Sequence, residues 1–281
     1  MGKAITKKTI IYGIVSALLF AALFLLTFRD RSTVENRQQV DIVTFGDSVF
    51  GEVRDETAVP ALLQETLGKT VFNAAMGGTG MARTAEEQRM DYPKGSLTLI
   101  GLSKAIYAKD FGVQHSGEFR ESMMEYFPEV IEGLEKIDFS QVEMVLIQHG
   151  INDYHGGIPI ENPENPYDEY SFLGALRSSV ELLREVNPDM RIVLITPLYT
   201  WYESGTLTCE EVNYGGGVLE DYVNAELALA EELGLEVIDL YHDFLPQGSW
   251  EDYAPYTRDG VHPSEEGRYR IAEIIAEELS E

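Results

Sequence analysis

The sequence predicts an α/β domain built on a parallel sheet of about five strands, preceded by one N-terminal transmembrane helix. Three observations predict it. Short apolar runs alternate with longer segments whose apolar residues recur at helical spacing, as strands joined by crossover helices require. The runs end in polar, glycine-containing turns, where open parallel sheets place their sites. Finally, Thr9–Phe28, TIIYGIVSALLFAALFLLTF, carries no charge over 20 residues.

At about 1.5 Å per residue such a helix spans roughly 30 Å, the depth of a bilayer's hydrocarbon core. Lys3, Lys7 and Lys8 in the preceding segment, residues 1–8, favour keeping that end cytoplasmic, a bias that Arg29 and Arg31 weaken. The competing reading is a cleaved signal peptide, whose apolar core normally runs about 7–15 residues before a small-x-small cleavage site. The run here is longer, and LLTFRDRS contains no such site. The expectation is therefore an uncleaved signal anchor over 9–28, a linker over 29–38, and one extracytoplasmic domain over 39–281.

Within that domain the strand candidates are Val40–Phe45, Thr70–Asn73, Val142–Gln148, Arg191–Thr196 and Leu235–Asp239. Helical spacing covers Ala58–Leu67, Glu121–Ile137, Phe172–Val186, Leu219–Leu233 and, last, Ser264–Leu279, with Ile271, Ala272, Ile274, Ile275 and Leu279 on one face. Three connections, Thr79–Arg120, Tyr154–Ser171 and Tyr199–Gly217, are longer than connectivity needs and read as loops over one rim. Their aromatics, Tyr154, Tyr167, Tyr170, Tyr199, Trp201, Tyr202 and Tyr214, with Trp250, Tyr253 and Tyr256 further on, either stack on a substrate or pack the loops.

The formal net charge is −27, and residues 1–38 hold six Lys/Arg against two Asp/Glu, so the acidic excess lies wholly in the domain. Such a surface repels nucleic acid and other polyanions. The single cysteine, Cys209, excludes an internal disulfide and reads as a half-buried small apolar residue; a lone thiol outside the cytoplasm is consistent with a bacterial surface protein or a reducing habitat. His149, Asp153 and His155 could in principle ligate a metal, but their spacing matches no metal motif, and no metal or cofactor is expected. His115 and His242 have no evident companions.

Four short blocks stand at strand ends or helix starts on the reactive edge: Gly46-Asp47-Ser48-Val49, Asn73 with Gly78 five residues on, Gly150-Ile151-Asn152-Asp153, and Asp259-Gly260-Val261-His262. Each alone is an ordinary turn; four in order are specific. In these blocks the chain resembles the SGNH hydrolases, also called GDSL-type esterases. The lipase elbow Gly-x-Ser-x-Gly of the α/β-hydrolases is absent.

The resemblance implies a flavodoxin-like three-layer α/β/α fold and a serine esterase. Ser48 would be the nucleophile, His262 the base that takes and later returns its proton, and Asp259 the carboxylate that holds the imidazole tautomer. The oxyanion donors would be the Ser48 N–H, the Gly78 N–H and the Asn152 side-chain amide, with glycine at 78 so that no side chain blocks the backbone's approach. Pro263 would sit in the first turn of the last helix with Glu265 and Glu266 at its positive end. Asp47 and Asp153 would shape the loops by hydrogen bonding rather than react. The expected substrate is a small-molecule or carbohydrate ester, O-acetyl or short acyl, on glycans or cell-wall polymer; the substrate-binding residues are not identified. Transfer of the acyl group to a sugar hydroxyl, or an idle glycan-binding surface protein, are the alternatives.

Overall fold

Five strands form one parallel sheet in the computed structural model, which describes residues 38–84, 95–119, 124–245 and 248–280. The expected N-terminal segment 1–8, the membrane helix over 9–28 and nearly all of the linker lie outside the described residues. Among the described residues no helix is long and apolar enough to cross a membrane.

The chain runs β1 (Ile42–Gly46), α1 (Ser48–Gly51), α2 (Val59–Leu67), β2 (Val71–Asn73), α3 (Leu99–Ala108), α4 (Gly112–His115), α5 (Phe127–Lys136), β3 (Met144–Gln148), α6 (Ile151–His155), α7 (Phe172–Val186) and β4 (Arg191–Ile195). A two-stranded hairpin follows, β5 (Trp201–Tyr202) with β6 (Leu207–Thr208), then α8 (Leu219–Leu233), β7 (Glu236–Ile238), α9 (Leu240–Asp243), α10 (Trp250–Tyr253) and α11 (Glu265–Ser280). The main sheet has the order β2-β1-β3-β4-β7. The chain leaves β1 toward one edge and returns to β3 on its other side, so the β1 and β3 ends border the crevice where such sheets bind ligands. Gly46 pairs with Gln148 in register, so the loops that leave these two strands start side by side.

Strand residues alternate between two cores, as a pleated sheet covered on both faces demands. Val43, Phe45, Val145, Ile147, Ile192 and Leu194 pack under α3, α5, α7 and α8. Ile42, Met144, Leu146, Val193, Ile195 and Ile238 face α2 and α11. The result is three layers, helices on each side of the sheet.

Helix ends follow local chemistry. Ser171 caps α7 by accepting from the Gly174 N–H at 3.3 Å, and α2 and α8 stop at the left-handed Gly68 and Gly234. The expected bounds of α7 and α8 match residue for residue; the strands start or stop up to two residues inside their apolar runs, except that β1 runs one residue past its own, to Gly46. The expected loop over Thr79–Arg120 is corrected. It contains α3, a ten-residue helix capped by Thr98 and packed on α7, along with α4. Leu99, Ile100, Leu102, Ala105 and Ile106 of α3 are buried, so this segment completes a layer.

Ile147 is fully buried in the central strand β3. Ile147→Ala should cost about 2–5 kcal/mol through lost transfer energy and the cavity left behind. Denaturant unfolding of both proteins measures it; a loss under about 1 kcal/mol would mean that the layers are not closed around β3.

Candidate active site

Two residues past the end of β1, the Ser48 Oγ lies 3.0 Å from the His262 Nε2. The His262 Nδ1 lies 2.7 Å from the Asp259 Oδ2, and the Asp259 Oδ1 accepts from the Val261 and His262 N–H groups at 3.0 and 2.8 Å. Burial alone would raise the Asp259 carboxyl, but those backbone bonds and the imidazole outweigh it and hold the group below its ordinary value. It therefore stays ionised, accepts from Nδ1–H, and leaves Nε2 as the acceptor facing the serine hydroxyl.

Local structure sets both ends of this chain of bonds. Asp47 caps the one-turn helix α1, accepting from the Val49 N–H at 2.9 Å, which starts the helix at Ser48. Asp47 is fully buried and its other oxygen has no partner among the described residues, so desolvation pushes its pKa up to about 7. The His262 loop is closed by the Thr257–Pro263 bridge, by the Arg258 N–H on the His262 carbonyl at 2.9 Å, and by Gly260. That glycine has a φ of +93°, and a Cβ there would meet the Trp201 carbonyl oxygen at 2.1 Å, so no other residue fits. Pro263 precedes α11 instead of entering it. Ser264 is the cap, its Oγ accepting from the Gly267 N–H at 3.1 Å.

The second loop, after β2, runs Met76-Gly77-Gly78-Thr79. Gly78 has a φ of +77°, a left-handed conformation, and that is the reason for glycine here. Neither the Gly78 N–H nor the Ser48 N–H has an acceptor among the described residues. The third loop, α6, supplies Asn152, whose Nδ2 donates to the Thr79 carbonyl at 3.0 Å. The structure thus joins Ser48, His262 and Asp259 directly, and bonds Asn152 to the residue after Gly78.

Asp153 accepts from the Met81 and Ala82 N–H groups, both at 2.9 Å, and burial raises it to about 6. Asp47 and Asp153 therefore both fix loops by hydrogen bonds. No group of three or more His, Cys, Asp or Glu side chains among the described residues could hold a metal, so His149, Asp153 and His155 do not form one. His155 stands one helical turn past Asn152 with its Nε2 2.8 Å from the Tyr202 hydroxyl, a pair that sequence reasoning missed.

Other expectations change. Tyr154 and Tyr253 are buried and serve the core, while Tyr167, Tyr170 and Tyr214 are exposed. Cys209 is fully buried. His115 and His242 do have companions, Glu135 at 2.9 Å and Asp239 at 2.7 Å.

The sequence profile of the GDSL-like Lipase/Acylhydrolase family matches residues 43–270. The chain is 36% identical to the isoamyl acetate-hydrolyzing esterase 1 homolog of Mus musculus over 130 residues, 44% of this chain and 50% of that protein, so it spans about half the length of that curated relative. Among solved structures it resembles a possible lipase from Chitinophaga pinensis (TM-score 0.56, 19% identity, 86% of this chain and 98% of that one). It also resembles a carbohydrate acetylesterase from Sinorhizobium meliloti (TM-score 0.52, 14% identity, 87% and 99%). At those identities the two structures speak for the fold alone.

Burial lowers the His149 pKa to about 4. As pH falls, unfolded histidine takes its proton near about 6.5, the folded one only near 4, so the unfolded state holds more protons between those values. Acidification through that window therefore destabilises the fold. His149→Gln should remove this part of the acid loss. Urea midpoints at pH 7 and pH 5 test it: an equal drop in both proteins would show that His149 is not held neutral.

Proposed function

The chain belongs to the GDSL-like Lipase/Acylhydrolase family, and on that premise we propose that it is a serine esterase that hydrolyses carboxylic esters. The observation that carries the reading is the unbroken hydrogen-bond chain from the Ser48 Oγ through His262 to Asp259, at the border of the β1 and β3 ends. A serine hydroxyl at its ordinary pKa is a weak nucleophile, and an imidazole held in the right tautomer makes it reactive.

In this reading the Ser48 Oγ attacks the ester carbonyl carbon while its proton passes to the His262 Nε2. The carbonyl π pair moves onto oxygen, and the Ser48 and Gly78 N–H groups with the Asn152 amide receive that charge. Collapse breaks the bond to the alcohol, which leaves with the proton from His262. Water, deprotonated by the same nitrogen, then attacks the acyl-serine, and Ser48 regains its proton as the carboxylic acid departs. Asn152 must exchange its bond to the Thr79 carbonyl for the substrate oxygen, or share it, since its amide has two N–H donors.

We take the substrate to be a short acyl ester, with support from the esterase relative, and the site of action to be outside the cytoplasm on glycan or cell-wall polymer. The support for the location is the charge-free Thr9–Phe28 run and its flanking lysines.

With the full chain and p-nitrophenyl acetate, Ser48→Ala and His262→Ala should each lower kcat by about 10⁴-fold or more. Asn152→Ala should lower it by about 10²–10³-fold. A fluorophosphonate probe should label the wild type and not Ser48→Ala. A folded wild type that neither labels nor turns over any short-chain ester would reject the esterase reading.

A further inference from the structure

We propose that Tyr126, braced by Arg54, is a positioning residue for this chemistry: its hydroxyl holds the glycine corner that aims the Gly78 N–H at the reacting carbonyl. The inference rests on the esterase reading.

The corner is weak by sequence. Met76–Thr79 forms a β-turn closed by the Thr79 N–H on the Met76 carbonyl at 3.3 Å, and the positive φ at Gly78 is the signature of a type II turn. Both central residues are glycine, so no side chain hinders rotation of the peptide between them. Yet that peptide carries the Gly78 N–H, and an oxyanion donor works only when it is held in place before the charge develops. The Thr79 hydroxyl adds a 2.7 Å bond to the same Met76 carbonyl, but both bonds tie only the ends of the turn and neither reaches the central Gly77–Gly78 peptide, which leaves the corner to be held from outside.

Two side chains outside the four sequence blocks do so. The Gly77 N–H donates to the Tyr126 hydroxyl at 2.9 Å. The Arg54 guanidinium donates to the Asn73 carbonyl at 2.9 Å and to the Ala75 carbonyl at 3.2 Å, and its Cζ lies 4.8 Å from the centre of the Tyr126 ring. Three backbone groups between Asn73 and Gly77 are thus gripped by one cation–aromatic pair. Burial raises the Tyr126 pKa, so the phenol stays neutral and its oxygen accepts from the amide while its proton has no acceptor among the described residues. Gly77 faces both this hydroxyl and Ser48. A Cβ placed on Gly77 would sit 3.6 Å from the Tyr126 oxygen and 3.7 Å from the Ser48 Cβ.

A packing role for the ring is separable from this one. The ring meets Phe127 edge-on at 5.0 Å and Arg54 at its face, and Tyr126→Phe keeps both contacts. Only the acceptor for Gly77 is lost.

The experiment compares full-length wild type, Tyr126→Phe, Arg54→Lys and Ser48→Ala on p-nitrophenyl acetate, with thermal unfolding as the control for folding. Losing an oxyanion donor outright costs about 10²–10³-fold, so a donor left in place but loosened should cost about tenfold in kcat with KM within about twofold. Fluorophosphonate labelling, which builds negative charge at the same position, should slow by a similar factor. Arg54→Lys keeps the charge but loses the two-pronged grip, and should lower kcat less, in the same direction. Tyr126→Phe with wild-type kcat, or with a change in KM alone, overturns the inference. If Tyr126→Phe does not fold, an unchanged kcat in Arg54→Lys overturns it. Turnover surviving in Ser48→Ala would sink the esterase reading and this inference with it. An inactive Ser48→Ala beside a fully active Tyr126→Phe would sink the inference alone.

Discussion

Two buried backbone N–H groups, those of Met81 and Ala82, share one acceptor, the Asp153 carboxylate. A buried amide left without an acceptor costs about 1–3 kcal/mol, so the segment after β2 cannot leave this carboxylate cheaply. Asp153 stands next to Asn152, which bonds the Thr79 carbonyl, so two adjacent residues of α6 hold one loop at three points. Gly80 makes the approach feasible, because a Cβ there would meet the Asp153 carboxylate at 2.7 Å. The loop that carries Gly78 is thereby tied to the loop that carries Asn152. Both hang from strands that flank β1, whose end carries Ser48. The geometry of the proposed Gly78 and Asn152 donors depends on this tie, while the Asp47 cap sets that of Ser48.

Much of this was legible in the sequence because chemistry and backbone demands coincide. Asp47 and Ser48 sit where a strand must end and a helix must start, and the one cap serves both needs. Gly260 is required by a carbonyl it would otherwise strike, in the middle of the Asp-x-x-His block. The α7 and α8 helices were legible to the residue because a wide apolar face and a clear end signal agree there. By contrast, α3 escaped because its apolar residues follow a tract of turn-forming and charged residues and carry no acidic first turn. Tyr126 and Arg54 escaped for another reason. Each looks like an ordinary aromatic or charged residue until the fold brings it to the 73–77 backbone, 49 residues from Tyr126 at the Gly77 bond.

The aromatics show where pattern reading has no purchase. Tyr154 follows Asp153 directly in a segment that reads as rim loop, yet its ring is fully buried and its hydroxyl donates to the Val212 carbonyl at 2.7 Å. His155, the next residue, turns toward Tyr202 and stays partly exposed. Successive positions on a five-residue helix point in directions about 100° apart, so core and site alternate within one motif. Sequence proximity to one of the four blocks therefore says little about which side chain reaches the crevice.

The two histidine–aspartate pairs make the same point about chemistry. Asp239 and His242 repeat the three-residue spacing of Asp259 and His262, and both pairs meet through Nδ1 at 2.7 Å. The first pair is spent on structure. The other oxygen of Asp239 accepts from the Thr196 hydroxyl at 3.0 Å, joining the β4 end to the start of α9, and the second His242 nitrogen bonds nothing among the described residues. An imidazole oriented by a carboxylate is therefore not itself a catalytic device. It becomes a candidate general base only where the fold delivers a hydroxyl to Nε2 and leaves backbone N–H groups open beside that hydroxyl. In this chain the hydroxyl that reaches an Nε2 is that of Ser48, at the border of β1 and β3, and the Ser48 and Gly78 N–H groups have no acceptor among the described residues.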